Sequence, residues 1–393
     1  MTARRTSLVI LTGLVLLSLN LRPAAVSVGP VLAEIRATLG MSPAAAGLLT
    51  SLPVLAFAVF GALAPTAAAR LGVHRVTLLA LVAAVVGLAG RAATSSEALF
   101  LALSMLALGG MAMANVLLPS LVKLHFPDAV GRVTAIYSTA LAVGLTSSLL
   151  LTVPVSDAGG SWRWGLGLWA VLALLSALPW IGLVAHDRTL ESGERSVRWS
   201  DVARTRLGWA MAAFFGLQSM QAYAVFGWFA QLWRDNGYSA GQAGALVALL
   251  AGVSIPLSLW APAAVARRDD QARILLAVML CYPVGYVGLM VAPHDLAILW
   301  ALFVGVGAVT FPIVLVLIGL RARTPQGTAA LSSFTQSTGY LLAAVGPFGV
   351  GTLYDATGGW TAPLVLLTAL MVPQIAAGMY VARPAKIEDQ LRS

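Results

Sequence analysis

Apolar runs of roughly 20 residues, each long enough to cross about 30 Å of hydrocarbon, begin near Thr6, Ala44, Val76, Ala98, Arg132 and Trp162. A polar stretch from His186 to Arg206 follows, and six more runs begin near Leu207, Ala240, Arg273, Leu296, Thr328 and Thr361. Backbone in hydrocarbon must satisfy its own hydrogen bonds, which makes each run a helix. The pattern predicts an all-α membrane protein of twelve transmembrane helices in two six-helix bundles, over residues 1–185 and 207–383. A linker over 186–206 joins them, and a tail covers 384–393.

The two groups of spans are copies of one another. "APTAAAR" (Ala64 to Arg70) and "APAAVAR" (Ala261 to Arg267) share five residues in seven at an offset of 197. At an offset of 198, "DAGGSW" (Asp157 to Trp162) pairs with "DATGGW" (Asp355 to Trp360), Lys123 with Arg321, Pro127 with Pro325 and Gly109 with Gly307. Six spans per half is an even number. Both halves therefore enter the membrane from the same side, related by an axis along its normal.

Composition agrees, with 59% hydrophobic and 10% charged residues and a mean hydropathy of +0.88. The net charge of +9 has a topological origin, because the basic residues stand singly or in pairs between apolar runs. Arg4, Arg5, Arg70, Arg75, Lys123 and Arg132 fall on one side, as do the basic residues of the linker, of Arg267–Arg273, of Arg321–Arg323 and of the tail. The other side has Arg36, Arg91, Arg163 and Arg234, so both termini are expected in the cytoplasm. A cleaved signal peptide is an alternative reading of "RR" before an apolar run that ends at Arg22 and "PAA". The repeat needs that run as the partner of the seventh span.

Basic residues never interleave with exposed aromatics, so nucleic acid is not an expected partner. One cysteine, Cys281, excludes an intrachain disulfide and a thiolate cage. His74, His125, His186 and His294 lie at or near the ends of apolar runs, and neither a metal cluster nor a cofactor is expected. A nucleophile with its base, or paired carboxylates, is absent at depth, which argues against an enzyme.

Twelve spans as a six-plus-six parallel duplication resemble the major facilitator superfamily of secondary transporters. "LNLRPA" in the first span, "GLLTSLPV" in the second, "NVLLPSLVK" ending the fourth and "QSTGYLLAAVGP" in the eleventh resemble its cyanate and 2-nitroimidazole transporter family. The resemblance implies a monomer in the inner membrane that moves a small-molecule substrate across the lipid bilayer by rocking of its halves. The superfamily's loop between the second and third spans usually has an acidic residue before its arginine. Here "AARLGVHRV" keeps Arg70, Gly72 and Arg75 but has Ala69 at the acidic position, so the acid of the usual inner-gate charge relay is absent from this loop. Arg70, Arg75 and Asp128 are the candidate gating residues.

Arg22 is the principal candidate site residue. It lies 15 residues from Ser7, about 22 Å at 1.5 Å per residue and slightly past mid-membrane. A central Arg costs about 2.5–3.5 kcal/mol on insertion scales, and no Asp, Glu or His lies at comparable depth in any span; Glu34, further out on the same expected helix, is the nearest acid on it. A guanidinium is a planar fork of donors suited to a small, flat, negatively charged group. The alternative is that Arg22 braces the helix by bonding neighbouring backbone. Asn20, two positions earlier, points about 160° away. Pro23 removes an N–H and loosens the turn.

In the seventh span an offset of 199 places Gln221 opposite Arg22, with Gln218 on the same face. These amides are expected either to orient the anion or to bond between helices. Gln336 and Tyr340 share a face of the eleventh span, and Asn115 and Tyr137 are further candidates for lining a cavity. The expected cargo is a small anion or flat polar molecule, with export of drug-like or nitroaromatic compounds as the alternative. Without an embedded acid or His, the expectation for coupling is uniport, exchange, or symport in which a proton travels with the substrate or through water.

Overall fold

The computed structural model describes residues 3–41, 43–184, 197–268 and 271–391. Most of the expected linker lies outside the described residues. The first bundle contributes α1 (Ala3–Leu21), α2 (Pro43–Leu71), α3 (Val73–Ala93), α4 (Glu97–His125), α5 (Val130–Ala158) and α6 (Trp162–Leu183). The second contributes α7 (Arg206–Asp235), α8 (Ala240–Ala266), α9 (Ala272–Val291), a two-part α10 (Ala297–Ala308 and Thr310–Leu320), a two-part α11 (Pro325–Ala343 and Val345–Thr357) and α12 (Thr361–Ala382). This is the all-α, twelve-helix architecture expected from the apolar runs.

The helix ends follow local chemistry. Side-chain oxygens of Ser96, Ser161, Thr205 and Ser239 accept backbone N–H groups at the starts of α4, α6, α7 and α8, and Ser239 forms a reciprocal capping box with Gln242. Gly72, between α2 and α3, has a φ of 91°, a conformation that a side chain would strain.

Among the described residues, ten helices are long and apolar enough to cross a membrane. The two other membrane helices, α7 and α11, are the polar ones. Gln218 and Gln221 on α7, and Ser332, Ser333, Thr335, Gln336 and Ser337 on α11, are all buried. Lowered hydropathy there marks side chains turned into protein, where an interior polar group can find a partner that lipid cannot offer.

The chain packs as two compact units, one comprising Met1–Pro127, Ile136–Trp199 and Thr324–Ser333, the other Asp128–Ala135, Ser200–Arg323 and Phe334–Ser393. In the first, the opening turns of α11 are tied to α4 and α2. The Ser120 hydroxyl donates to the Pro325 carbonyl at 2.7 Å and the Ser333 hydroxyl to the Gly61 carbonyl at 2.7 Å. Ala64, Ala68, Val76, Val116, Leu117 and Ala329 form a buried cluster beside them. In the second, the tail is held by Arg323, whose guanidinium bonds the Asp389 carboxylate at 2.5 and 2.9 Å.

One expectation is corrected here. The first span is not a single helix reaching Glu34. It ends at Leu21, resumes as Pro23–Val26, passes through a 3-10 turn at Gly29–Val31 and starts again as Leu32–Leu39. Pro23 and Pro30 each lack the N–H that would continue the ladder, and Gly29 adds backbone freedom. Glu34 therefore stands, exposed, on a separate short helix.

Candidate functional site

The break in α1 puts Arg22 at its centre. Arg22 forms the turn between Leu21 and Pro23 and is half-buried, between buried residues on both sides. Its carbonyl accepts the N–H groups of Ala25 and Val26, both at 3.1 Å. Its own backbone stays in the right-handed helical region, with φ −85° and ψ −39°, so what interrupts the helix at this turn is the N–H that Pro23 lacks.

Two neighbours fit the break. Pro23 cannot donate to the Leu19 carbonyl, and Gly144 of α5 packs onto that same carbonyl so closely that an added methyl would collide with Leu19 backbone atoms. On the other side of Arg22, the fully buried Arg91 of α3 donates from one terminal nitrogen to the Ala24 carbonyl at 3.0 Å and from the other to the Ser27 hydroxyl at 3.1 Å. The charge count had placed Arg91 at the outer surface. Asn20 is fully buried, and neither end of its amide has a hydrogen-bond partner among the described residues.

The glutamines of α7 belong to a buried ladder that joins α7, α9 and α12. Gln218 donates to the Tyr282 hydroxyl at 3.1 Å and accepts from Gln374 at 3.0 Å. Gln221 accepts from the Tyr286 hydroxyl at 2.9 Å and donates to the Leu367 carbonyl at 2.9 Å and the Met371 sulfur at 3.3 Å. Gln218, Gln221, Tyr282, Tyr286 and Gln374 are all fully buried. Tyr282, Tyr286 and Gln374 escaped the sequence reading. The signal was there: two tyrosines at i, i+4 on one helix face.

Gln221→Ala is expected to lower thermal stability in detergent by about 1–3 kcal/mol, because it strands the buried Tyr286 hydroxyl. Its effect on substrate affinity is expected to be smaller than that of removing Arg22. Unchanged stability together with a large affinity loss would instead make Gln221 a substrate contact.

On α11, Gln336 and Tyr340 are buried; the Tyr340 ring stands edge-on to Phe215 at 5.0 Å and lies 6.3 Å from the Tyr223 ring, both on α7. Asn115 on α4 and Tyr137 on α5 are buried too. The gating candidates Arg70, Arg75 and Asp128 are exposed, at the end of α2, the start of α3 and the turn before α5.

Near Arg75, the structure joins two histidines that the sequence separates by 51 positions: the Nε2 atoms of His74 and His125 lie 2.8 Å apart, so one ring donates and the other accepts. The Trp180 ring lies 6.2 Å from His74. The equivalent corner of the second half is built on Arg321, which donates to the Val381 and Ala382 carbonyls and to the Gln271 amide oxygen. Burial lowers that guanidinium to about 10.

Ten helices long and apolar enough to cross a membrane among the described residues, with polar side chains of α7 and α11 buried within the protein, define a multi-pass membrane protein. The chain matches the Major Facilitator Superfamily over residues 8–347 and belongs to that family. It is 38% identical to the uncharacterized transporter YycB of Bacillus subtilis strain 168, covering 95% of this chain and 93% of that protein. It is 34% identical to the 2-nitroimidazole transporter of Escherichia coli K12, covering 98% of each. With the cyanate transport protein CynX of the same organism it shares 27% identity, over 91% of this chain and 94% of that one. Among solved structures, the Escherichia coli fucose:proton symporter shares the fold, with a TM-score of 0.76 and 14% identity over 97% of this chain and 99% of that one.

Proposed function

We propose that this transporter carries a small molecule with a flat, electron-rich end, and that Arg22 is its receptor. The observation that carries the reading is the half-buried Arg22 in the break of α1. A planar fork of donors pairs best with a planar or linear group presenting terminal oxygen or nitrogen acceptors. Cyanate, in the name of one relative, and the nitro group of 2-nitroimidazole, in that of another, share this chemistry. Transport follows alternating access of the duplicated halves, with both termini in the cytoplasm, as the distribution of basic residues supports.

The test is binding of cyanate, nitrate, nitrite and 2-nitroimidazole to the purified protein, read by calorimetry or ligand-induced thermal shift. Mutual competition, lost in Arg22→Ala, is the expected result. The similarity to the 2-nitroimidazole transporter over 98% of each chain favours a second reading, transport of neutral nitroaromatics. That reading wins if 2-nitroimidazole binds and the three anions neither bind nor compete.

A further inference from the structure

Arg91 is an expensive residue for this fold to keep. It is fully buried on α3, its Nε has no hydrogen-bond partner, and among the described residues no carboxylate faces it. A buried charge without an opposite charge is costly even when hydrogen-bonded. Stability is a poor reason to retain it, and what it touches suggests a better one.

Both of its partners belong to the segment that follows Arg22. The Ala24 carbonyl at 3.0 Å and the Ser27 hydroxyl at 3.1 Å lie on the Pro23–Val26 helix and at its C-terminal cap. This four-residue helix has a single turn, too short to be stable on its own. It is followed by Gly29 and Pro30, where no regular ladder can continue. To the Ala24 carbonyl the guanidinium supplies from outside a donor that an unbroken helix would have supplied from within, and it holds the Ser27 side chain at the same time. Its rigid fork reaches both acceptors at once, which a single ammonium cannot do.

The duplication offers a control. The helix equivalent to α1 is α7, which runs unbroken over 30 residues without proline. At an offset of 198, the position equivalent to Arg91 is Leu289. The half with the broken helix has the buried arginine, and the half with the intact helix has leucine.

We propose that Arg91 is a positioning residue for substrate binding: by clamping Ala24 and Ser27 it fixes the break of α1 and so the direction in which the Arg22 guanidinium points. This rests on the reading of Arg22 as the substrate receptor. The two are separable, because the clamp has a readout that needs no substrate.

The experiment measures hydrogen–deuterium exchange of the backbone over residues 22–31 in the full-length purified protein, alongside cyanate and 2-nitroimidazole uptake in proteoliposomes. Arg91→Gln removes the fork, Arg91→Lys keeps the charge with one point of contact, and Ser27→Ala deletes one partner with little risk to folding. Arg91→Gln is expected to speed exchange of this segment relative to the other helices and to raise the KM by about tenfold, the loss of roughly one charged hydrogen bond. The maximal rate should change less. Arg91→Lys should recover part of both effects, and Ser27→Ala should show a smaller version that is not additive with Arg91→Gln. Exchange over residues 22–31 that stays at the wild-type rate in Arg91→Gln overturns the clamp, whatever Arg22 does. Faster exchange with an unchanged KM overturns the link to substrate and leaves only a structural brace.

Discussion

Arg22→Lys is expected to fold, to insert and to lose most transport of flat anions. Lysine keeps the positive charge and a comparable length, so long-range attraction of an anion survives the change. What disappears is the pair of parallel donors fixed in one plane, and with it the second of two charge-assisted hydrogen bonds, each contributing about 1.5–3 kcal/mol. A loss of about tenfold to a hundredfold in affinity should follow for Lys, and a larger one for Ala, which removes the charge as well. Proteoliposome uptake under a substrate gradient, with thermal unfolding in detergent as the folding check, measures both. Wild-type uptake by Arg22→Ala would return this residue to a bracing role within the bundle and leave the substrate class to be found elsewhere.

The second large effect comes from a residue that touches no substrate. Gly144→Ala is expected to destabilise the protein by about 1–3 kcal/mol, the usual consequence of forcing an atom into a filled interior. The added methyl would meet the oxygen, carbon and Cα of Leu19, all backbone atoms that cannot rotate aside. Helix α1 must therefore move away from α5, and it must do so three residues before Arg22. Transport should fall together with stability. Gly167→Ala on α6 is the matched control, because nothing lies within 4 Å of the methyl it would add. Equal thermal midpoints and uptake rates for the two variants would show that α1 and α5 are not held at this distance.

The membrane-crossing runs were legible in the sequence because length and composition alone specify them: about 20 apolar residues have no other stable fate in a bilayer. The duplication was equally plain, because "APTAAAR" with "APAAVAR" and "DAGGSW" with "DATGGW" needed only an alignment of the chain with itself. Arg22 stood out for the same kind of reason, a charge where hydrocarbon tolerates few. The extent of the break around it did not. Pro23, Gly29 and Pro30 each permit a bend, and only the packed neighbours decide which of them bends the chain and by how much.

The inward faces were the least legible. In a soluble helix the polar face marks solvent and the apolar face marks the core. In a membrane helix lipid and protein interior are both apolar, so a sequence of Leu, Val and Ala says little about which face meets a neighbour. Arg91 read as an outer charge until α3 turned it towards Ala24 and Ser27. His74 and His125, or Gln218 and Tyr282, became partners only when separate helices brought them within 3.1 Å. Sequence alone therefore determined which segments cross the membrane and that their set is doubled. Tertiary packing decided which polar groups meet inside, because rotation about a helix axis is set by the fit of its neighbours and leaves no periodic trace where every surface is apolar.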